Sequence, residues 1–318
     1  MSDLALSLED RRIIAALQCD PRVSIEHLAS VLGLGVRPAG RRLNMLLDSG
    51  DLRFIARTPP PTRTALMLRI HILSGKLDQL GRALARREDI PYIDASIGGD
   101  ELAAVLIAES DVAGQLIARQ LPASGAITAV EAHPILHVFS EARDWRLDVL
   151  STEERRALTP PETLSHPPTA EPLSTRDAAI IAALGAQPRA SAAQIAARID
   201  APESTVRRRL TALRASDQLL FETAVNPARV GLPIDVNFWM RVSPRHLDAV
   251  GQALARHPAV HGTLAIAGAF SLNVAAWFAS LDELYRFTIE VLAELPIESA
   301  EPVVVGSAIK RPGLDRTV

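Results

Sequence analysis

Between residues 173 and 213 apolar positions recur at helical spacing in three short blocks. Leu173, Ile180, Ile181 and Leu184 mark the first. Ser174 is placed to cap its start, Asp177 stands where a capping box needs an acid, and Pro188 ends it. Ser191 opens the second block, in which Ile195 and Ile199 share a face. Asp200-Ala201-Pro202-Glu203 is a turn. Asp200 is expected to cap the third helix, with Glu203 closing the box and Pro202 in the first turn. On that helix Val206, Leu210 and Leu213 point one way, and Ser204, Arg207, Arg208 and Thr211 largely the other. The hydrophobic stretch QLLFETAV (218–225) then reads as a small wing strand or hairpin. Three short helices with a tight turn before the last form a helix-turn-helix pattern.

From residue 235 the period changes. DVNFWMRV (235–242) alternates as a strand does, HLDAVGQALARH (246–257) is a helix, and 260–268 and 270–279 are strands. An amphipathic helix (281–295) and a last strand (297–309) follow. The order β-α-β-β-α-β predicts a ferredoxin-like antiparallel sheet with helices on one face.

The pattern occurs twice. Leu6, Ser7, Asp10, Ile13, Ile14, Ala15, Ala16 and Leu17 reappear 167 residues later, from Leu173 to Leu184. Pro21, Arg22 and Ser24 reappear as Pro188, Arg189 and Ser191, and Arg41-Arg42-Leu43 as Arg208-Arg209-Leu210. LDQLGRALARRED (77–89) returns as LDAVGQALARHPA (247–259) at an offset of 170. The fold class expected is therefore α+β: two winged helix-turn-helix domains (1–60 and 173–225) and two ferredoxin-like βαββαβ domains (64–145 and 232–312) in tandem repeat. Residues 146–172, with the proline-rich TPPETLSHPPTAEP, are expected to be a linker. A one-sided sheet needs cover, so the two sheets are expected to pack face to face as a pseudo-dimer within one chain. That arrangement would pair the helix-turn-helix units across a pseudo-two-fold axis, suiting a roughly palindromic DNA site with half-sites near one helical turn apart.

The chain has 318 residues, 48% hydrophobic and 22% charged, with a formal net charge of −3. A polyanion binder need not be basic overall if its positive charge is concentrated on one surface. Residues 173–224 carry seven arginines against five acids. Ser204, Thr205, Arg207 and Arg208 are the candidate DNA-contacting residues, with Arg209 on the backbone or buttressing the helix. Arg37, Arg41 and Arg42 are the candidates on the first copy's third helix, GVRPAGRRLNML. Pro38 and the mid-helix Gly40 predict that this helix is weaker or begins later. The single Cys19 fits a reducing cytoplasm, and neither a secretory signal nor a membrane span is read in the sequence.

No catalytic grouping emerges, and neither a metal site nor a cofactor is expected. His133 and His137 flank Pro134 in a strand, and His257 and His261 read as surface turn residues. Gly98-Gly99-Asp100 reads as a tight hairpin turn, and Trp239 and Trp277 as core or sheet-interface residues.

D-x-x-I-I-x-x-L, P-R-x-S, x-I-A, S-T-V-x-x-R-L-x-x-L and N-P-x-x-V-G-L (226–232), in that order, resemble the Lrp/AsnC transcriptional regulators. The resemblance covers nearly the whole chain, twice. It implies a cytoplasmic, non-enzymatic, sequence-specific regulator that binds double-stranded DNA. It also implies an amino acid or related metabolite as effector, and homo-oligomeric assembly. The family's glycine-centred turn would place an effector at Gly98, Gly99 and Asp100 in copy one and at Gly268 and Ser271 in copy two, where the nearby acid is missing. Sirohaem decarboxylases also look like paired Lrp/AsnC units and supply the alternative. Against it, VNPARVGLPIDVNFWM has no histidine, and the chain has only two tyrosines.

Overall fold

A computed structural model describes residues 5–59, 64–160, 172–312 and 314–315. The first copy supplies α1 (Leu8–Cys19), α2 (Ile25–Leu32), α3 (Val36–Asp48), β1 (Leu52–Arg57), β2 (Thr64–Ile72), α4 (Leu77–Ala85), β3 (Tyr92–Ser96), β4 (Glu101–Ala108), α5 (Ser110–Gln115) and β5 (Ile127–Ser140). After α6 (Thr152–Leu158) the second copy supplies α7 (Thr175–Ala186), α8 (Ala192–Ile199), α9 (Glu203–Ala215), β6 (Leu220–Val225), β7 (Ile234–Val242), α10 (Leu247–Ala255), β8 (Val260–Ile266), β9 (Leu272–Phe278), α11 (Leu281–Arg286) and β10 (Ile297–Arg311). These form two compact units. One takes the ferredoxin-like part of each copy, up to Trp145 and from Pro227 on; the other takes both helix-turn-helix parts, with Arg146–Asn226 in it.

In the first unit every strand pairing is antiparallel, in the order β10-β3-β4-β2-β5-β8-β9-β7, and β10 pairs back with β7. The two sheets thus join at their edges into one closed sheet, beyond the face-to-face stacking expected. The long strands do this. β5 pairs with β2 through Pro134 and with β8 from Ile135, while β10 pairs with β7 through Val304 and with β3 from Val305. Each half of β5 and of β10 is thus paired along one side, and the two long strands form the corners where the sheets meet.

Each copy keeps its own core between sheet and helices. One is built on Leu68, Ile70, Leu84 and Ile93, the other on Val236, Phe238, Leu254 and Phe278. Met67, Ala103, Trp239 and Ile266 form a third, smaller cluster. Trp239 is fully buried and Trp277 nearly so. The far ends of β5 and β10 land on glycines. A Cβ on Gly81 would lie 2.5 Å from Ile309 Cδ1, and one on Gly251 would strike the ring of Phe139. Gly81 and Gly251, and Phe139 and Ile309, are equivalents at the 170-residue offset, so each copy's last strand packs on the other copy's helix. Alanine at Gly251 gains roughly 1 kcal/mol in helix propensity but overpacks this site. Gly251→Ala is expected to lower stability in urea denaturation by about 1–2 kcal/mol net; a stabilised variant would contradict the packing.

His261 is a correction. It is a buried residue of β8, not a surface turn residue, with its ring stacked on Trp277 at 3.8 Å and Nε2 3.6 Å from Asp235. Burial pushes its imidazole below the usual range, opposed by Asp235. The turn ends at Val260, so the strand period carries His261 inward. His257 is half-buried against Phe287.

In the second unit β1 and β6 pair with each other, and neither forms a wing hairpin of its own. Their register sets Ile55 opposite Glu222, which are equivalents in the repeat, so the pair is centred on a local two-fold. Part of the expected linker is also ordered. Ser151 and Glu154 make a capping box for α6, and Leu147, Leu150 and Leu158 are buried. Helix α6 lies on the first copy, where Arg12 pairs with Glu154 and the His27 ring meets the Ala157 carbonyl at 3.1 Å. The rest of the expected linker, 161–171, lies outside the described residues. Among the described residues no helix is long and apolar enough to cross a membrane, and no cluster of three or more metal-ligating side chains occurs.

Candidate nucleic-acid interface

Helix α7 starts at the anticipated capping box between Ser174 and Asp177, and α8 at one between Ser191 and Gln194. Asp200, however, does not cap α9. It closes α8 in the left-handed conformation (φ 50°), which aspartate tolerates better than most residues, and Pro202 takes the N-cap position of α9 without a side-chain bond. Val206, Leu210 and Leu213 anchor α9 in a core with Ile180, Leu184 and Ile195.

The outer face is exposed. Glu203, Ser204, Arg207, Arg208 and Thr211 line a shallow open depression there. Thr205 is half-buried beside it. The three consecutive arginines have separate environments. Arg207 pairs with Glu203 one turn back. Arg208 is exposed and makes no ion pair among the described residues. Arg209 points inward and donates from Nε and from one terminal nitrogen to Asp177, both at 2.8 Å. Asp177 is fully buried. Arg209, then burial in the opposite sense, then Ser174, set its carboxyl at about 2.

The first copy repeats the buttress. Arg42 donates to Asp10 at 2.9 Å and pairs with Glu9 at 2.6 Å, in a more exposed setting. Helix α3 neither breaks nor starts late. It runs from Val36 through Gly40 to Asp48, because Pro38 falls in its first turn and Ala39, Leu43 and Leu46 are buried. Arg37 and Arg41 are exposed and without an ion pair among the described residues.

Two arginines that look unremarkable in the sequence join the copies. Arg22 donates to the carbonyls of Pro188 and Ala190 at 2.7 and 2.8 Å. Its equivalent Arg189 donates to those of Pro21 and Val23 at 2.9 and 2.6 Å. Arg22 lies over the Phe221 ring and Arg189 over Phe54. The repeated P-R-x-S marks both positions, but periodicity does not show that each arginine reaches into the other copy.

In the first unit the candidate effector turns are engaged internally. Gly99 takes φ 72° in the turn between β3 and β4, and Asp100 accepts from Ser96 at 2.8 Å. Gly98 lies directly beside Asp100. Ser271 Oγ accepts from the Val242 amide and donates to the Val242 carbonyl, at 2.7 and 3.0 Å. Gly268 sits against the His133 ring, where a Cβ would be 2.5 Å from Nδ1.

Residues 10–50 match the winged helix-turn-helix DNA-binding family and residues 175–219 the IclR helix-turn-helix domain. An uncharacterised HTH-type transcriptional regulator of Pyrococcus horikoshii is 31% identical over 136 residues, covering 42% of this chain and 86% of its own length. One of Pyrococcus abyssi is 32% identical over the same coverage. Among solved structures, the sirohaem decarboxylase NirDL has a TM-score of 0.61 at 14% identity and covers 95% of this chain and 92% of its own, a likeness of fold. The chain belongs to the HTH-type transcriptional regulators, with a helix-turn-helix unit present twice.

Proposed function

We propose that both helix-turn-helix units engage a single DNA site, with α9 and α3 presented to the major groove. The observation that carries this reading is the division of labour on α9. Arg209 is spent inside on Asp177, whereas Arg208 stands exposed on the same helix beside Ser204 and Thr211. Ser204, Thr205, Arg207 and Arg208 are assigned to DNA, with Arg37 and Arg41 on the first copy. Arg209 and Arg42 fix the angle of their helices through buried or half-buried ion pairs. The cross-copy bonds of Arg22 and Arg189 and the β1–β6 pairing support a fixed separation of the two faces.

The same fold serves an enzyme in NirDL, and fold alone does not choose between the two. The exposed basic face of α9 favours DNA. A small-molecule effector at the Gly98–Asp100 or Gly268–Ser271 turns gains no support from these side chains, which are already bonded within the protein.

Arg208→Ala is expected to weaken binding to a specific duplex by about 1–3 kcal/mol, with little loss on random duplex, as for a base contact. Fluorescence anisotropy on both duplexes over a salt series checks this. Equal losses on both would move Arg208 to the phosphate backbone, and no loss on either would remove α9 from the interface.

A further inference from the structure

We infer that the two helices read different sequences, so that the operator is asymmetric and the chain lies on it in one fixed orientation. This rests on the DNA reading above. The 167-residue offset aligns the outer faces residue by residue: Arg37 with Ser204, Gly40 with Arg207, Arg41 with Arg208, and Asn44 with Thr211. Only the Arg41/Arg208 position is shared. An arginine there pairs with guanine N7 and O6 through two hydrogen bonds, so one guanine is expected in both half-sites.

The other positions diverge in chemistry. Asn44 is exposed on α3, and an asparagine pairs with adenine N6 and N7 in the same bidentate way. Thr211 offers a hydroxyl that is already bonded to the Arg207 carbonyl at 3.1 Å. Val36 and Met45, 43% and 56% exposed, flank the α3 face and give it apolar surface suited to thymine methyl groups. Their equivalents on α9 are Glu203 and Ala212.

Gly40 makes the contrast sharper. A glycine inside a helix is unfavourable, yet packing does not demand this one: a Cβ there would meet only Ile25 Cγ1, at an ordinary 3.9 Å. On α9 the same place carries Arg207. Helix α3 is therefore able to bring its backbone closer to the base edges, and it contributes one cation fewer at the centre of its face. A homodimer with one unit per chain presents two identical faces. Two copies in one chain are free to diverge, and these have diverged at the outward positions while the inward ones (Ala39, Leu43 and Leu46 against Val206, Leu210 and Leu213) remain small or apolar.

The test is selection of binding sites from a randomised duplex library by the full chain, repeated with Asn44→Ala and with Gly40→Arg/Asn44→Thr. Both variants change exposed or spacious positions, and circular dichroism confirms that they fold. The expected result is a bipartite motif with unlike halves, both containing guanine and one containing adenine. Asn44→Ala should lose roughly 5- to 150-fold in affinity for the wild-type motif and relax only the adenine half. The double variant should shift that half towards the other. A motif of two identical inverted halves, or a single half-site, would overturn the asymmetric reading and leave DNA binding intact. Absence of any motif would overturn both.

Discussion

Asp177→Ala is expected to destabilise the helix-turn-helix unit by about 3–5 kcal/mol, the range for removing one partner of a buried ion pair. Its carboxylate accepts two bonds from Arg209 and also bonds to the amide and hydroxyl of Ser174. Truncation takes the buried carboxylate away from a half-buried guanidinium and removes the half of the α7 capping box that accepts from the Ser174 amide. Asp10→Ala, the equivalent change in copy one, is expected to cost only about 1 kcal/mol, because Arg42 retains Glu9 and lies closer to water. Chemical denaturation followed by circular dichroism distinguishes them; equal losses would contradict the account. The same ion pair sets a pH dependence. The folded carboxyl titrates near 2 and the unfolded one near 3.8. Its contribution, roughly 2 kcal/mol, is complete above about pH 4 and is lost as pH falls through 2. Asp177→Asn lacks it, so the gap between wild type and that variant should narrow over the same window.

Arg311→Ala is the second large effect, again about 3–5 kcal/mol. The Arg311 side chain is 9% exposed and joins the copies inside the first unit. Nε and one terminal nitrogen lie 2.9 and 2.8 Å from Asp94, and the same terminal nitrogen lies 2.6 Å from Asp235. Burial opposes its charge, but the two carboxylates outweigh burial and hold it charged. Burial likewise opposes ionisation of Asp235, and Arg311 together with His261 more than reverses this. Alanine strands two carboxylates in a nearly dry site. A combined Arg311→Met, Asp94→Asn and Asp235→Asn variant should recover much of the loss, since no charge is then left uncompensated. Failure of Arg311→Ala to lower stability would show that the network is not formed.

Much of this was legible in the sequence. Helical spacing and the Ser174 and Ser191 caps located α7 and α8, and strand alternation gave both βαββαβ orders. Periodicity reports which face of an element is buried, but not what covers it. That is why α6, with its capping box at Ser151, lay hidden in a stretch read as linker. The crossing of β5 and β10 was hidden for a related reason: a strand that leaves one sheet for another keeps its alternation. Its signals were excess length and the paired glycines Gly81 and Gly251. For the interface, the outer face of α9 followed from the helix period. The assignment of Arg209 to Asp177 needed the three-dimensional neighbour, although Asp10–Arg42 and Asp177–Arg209 recur at one spacing of 32 residues.

The most direct measurement is selection of fragmented genomic DNA by the purified chain over a salt series, followed by footprinting of the recovered fragments. Recovery of a discrete bipartite motif, protected in two blocks and persisting at salt that abolishes random binding, is the predicted result. Retention that is independent of sequence and vanishes with salt, or no retention at all, would contradict it.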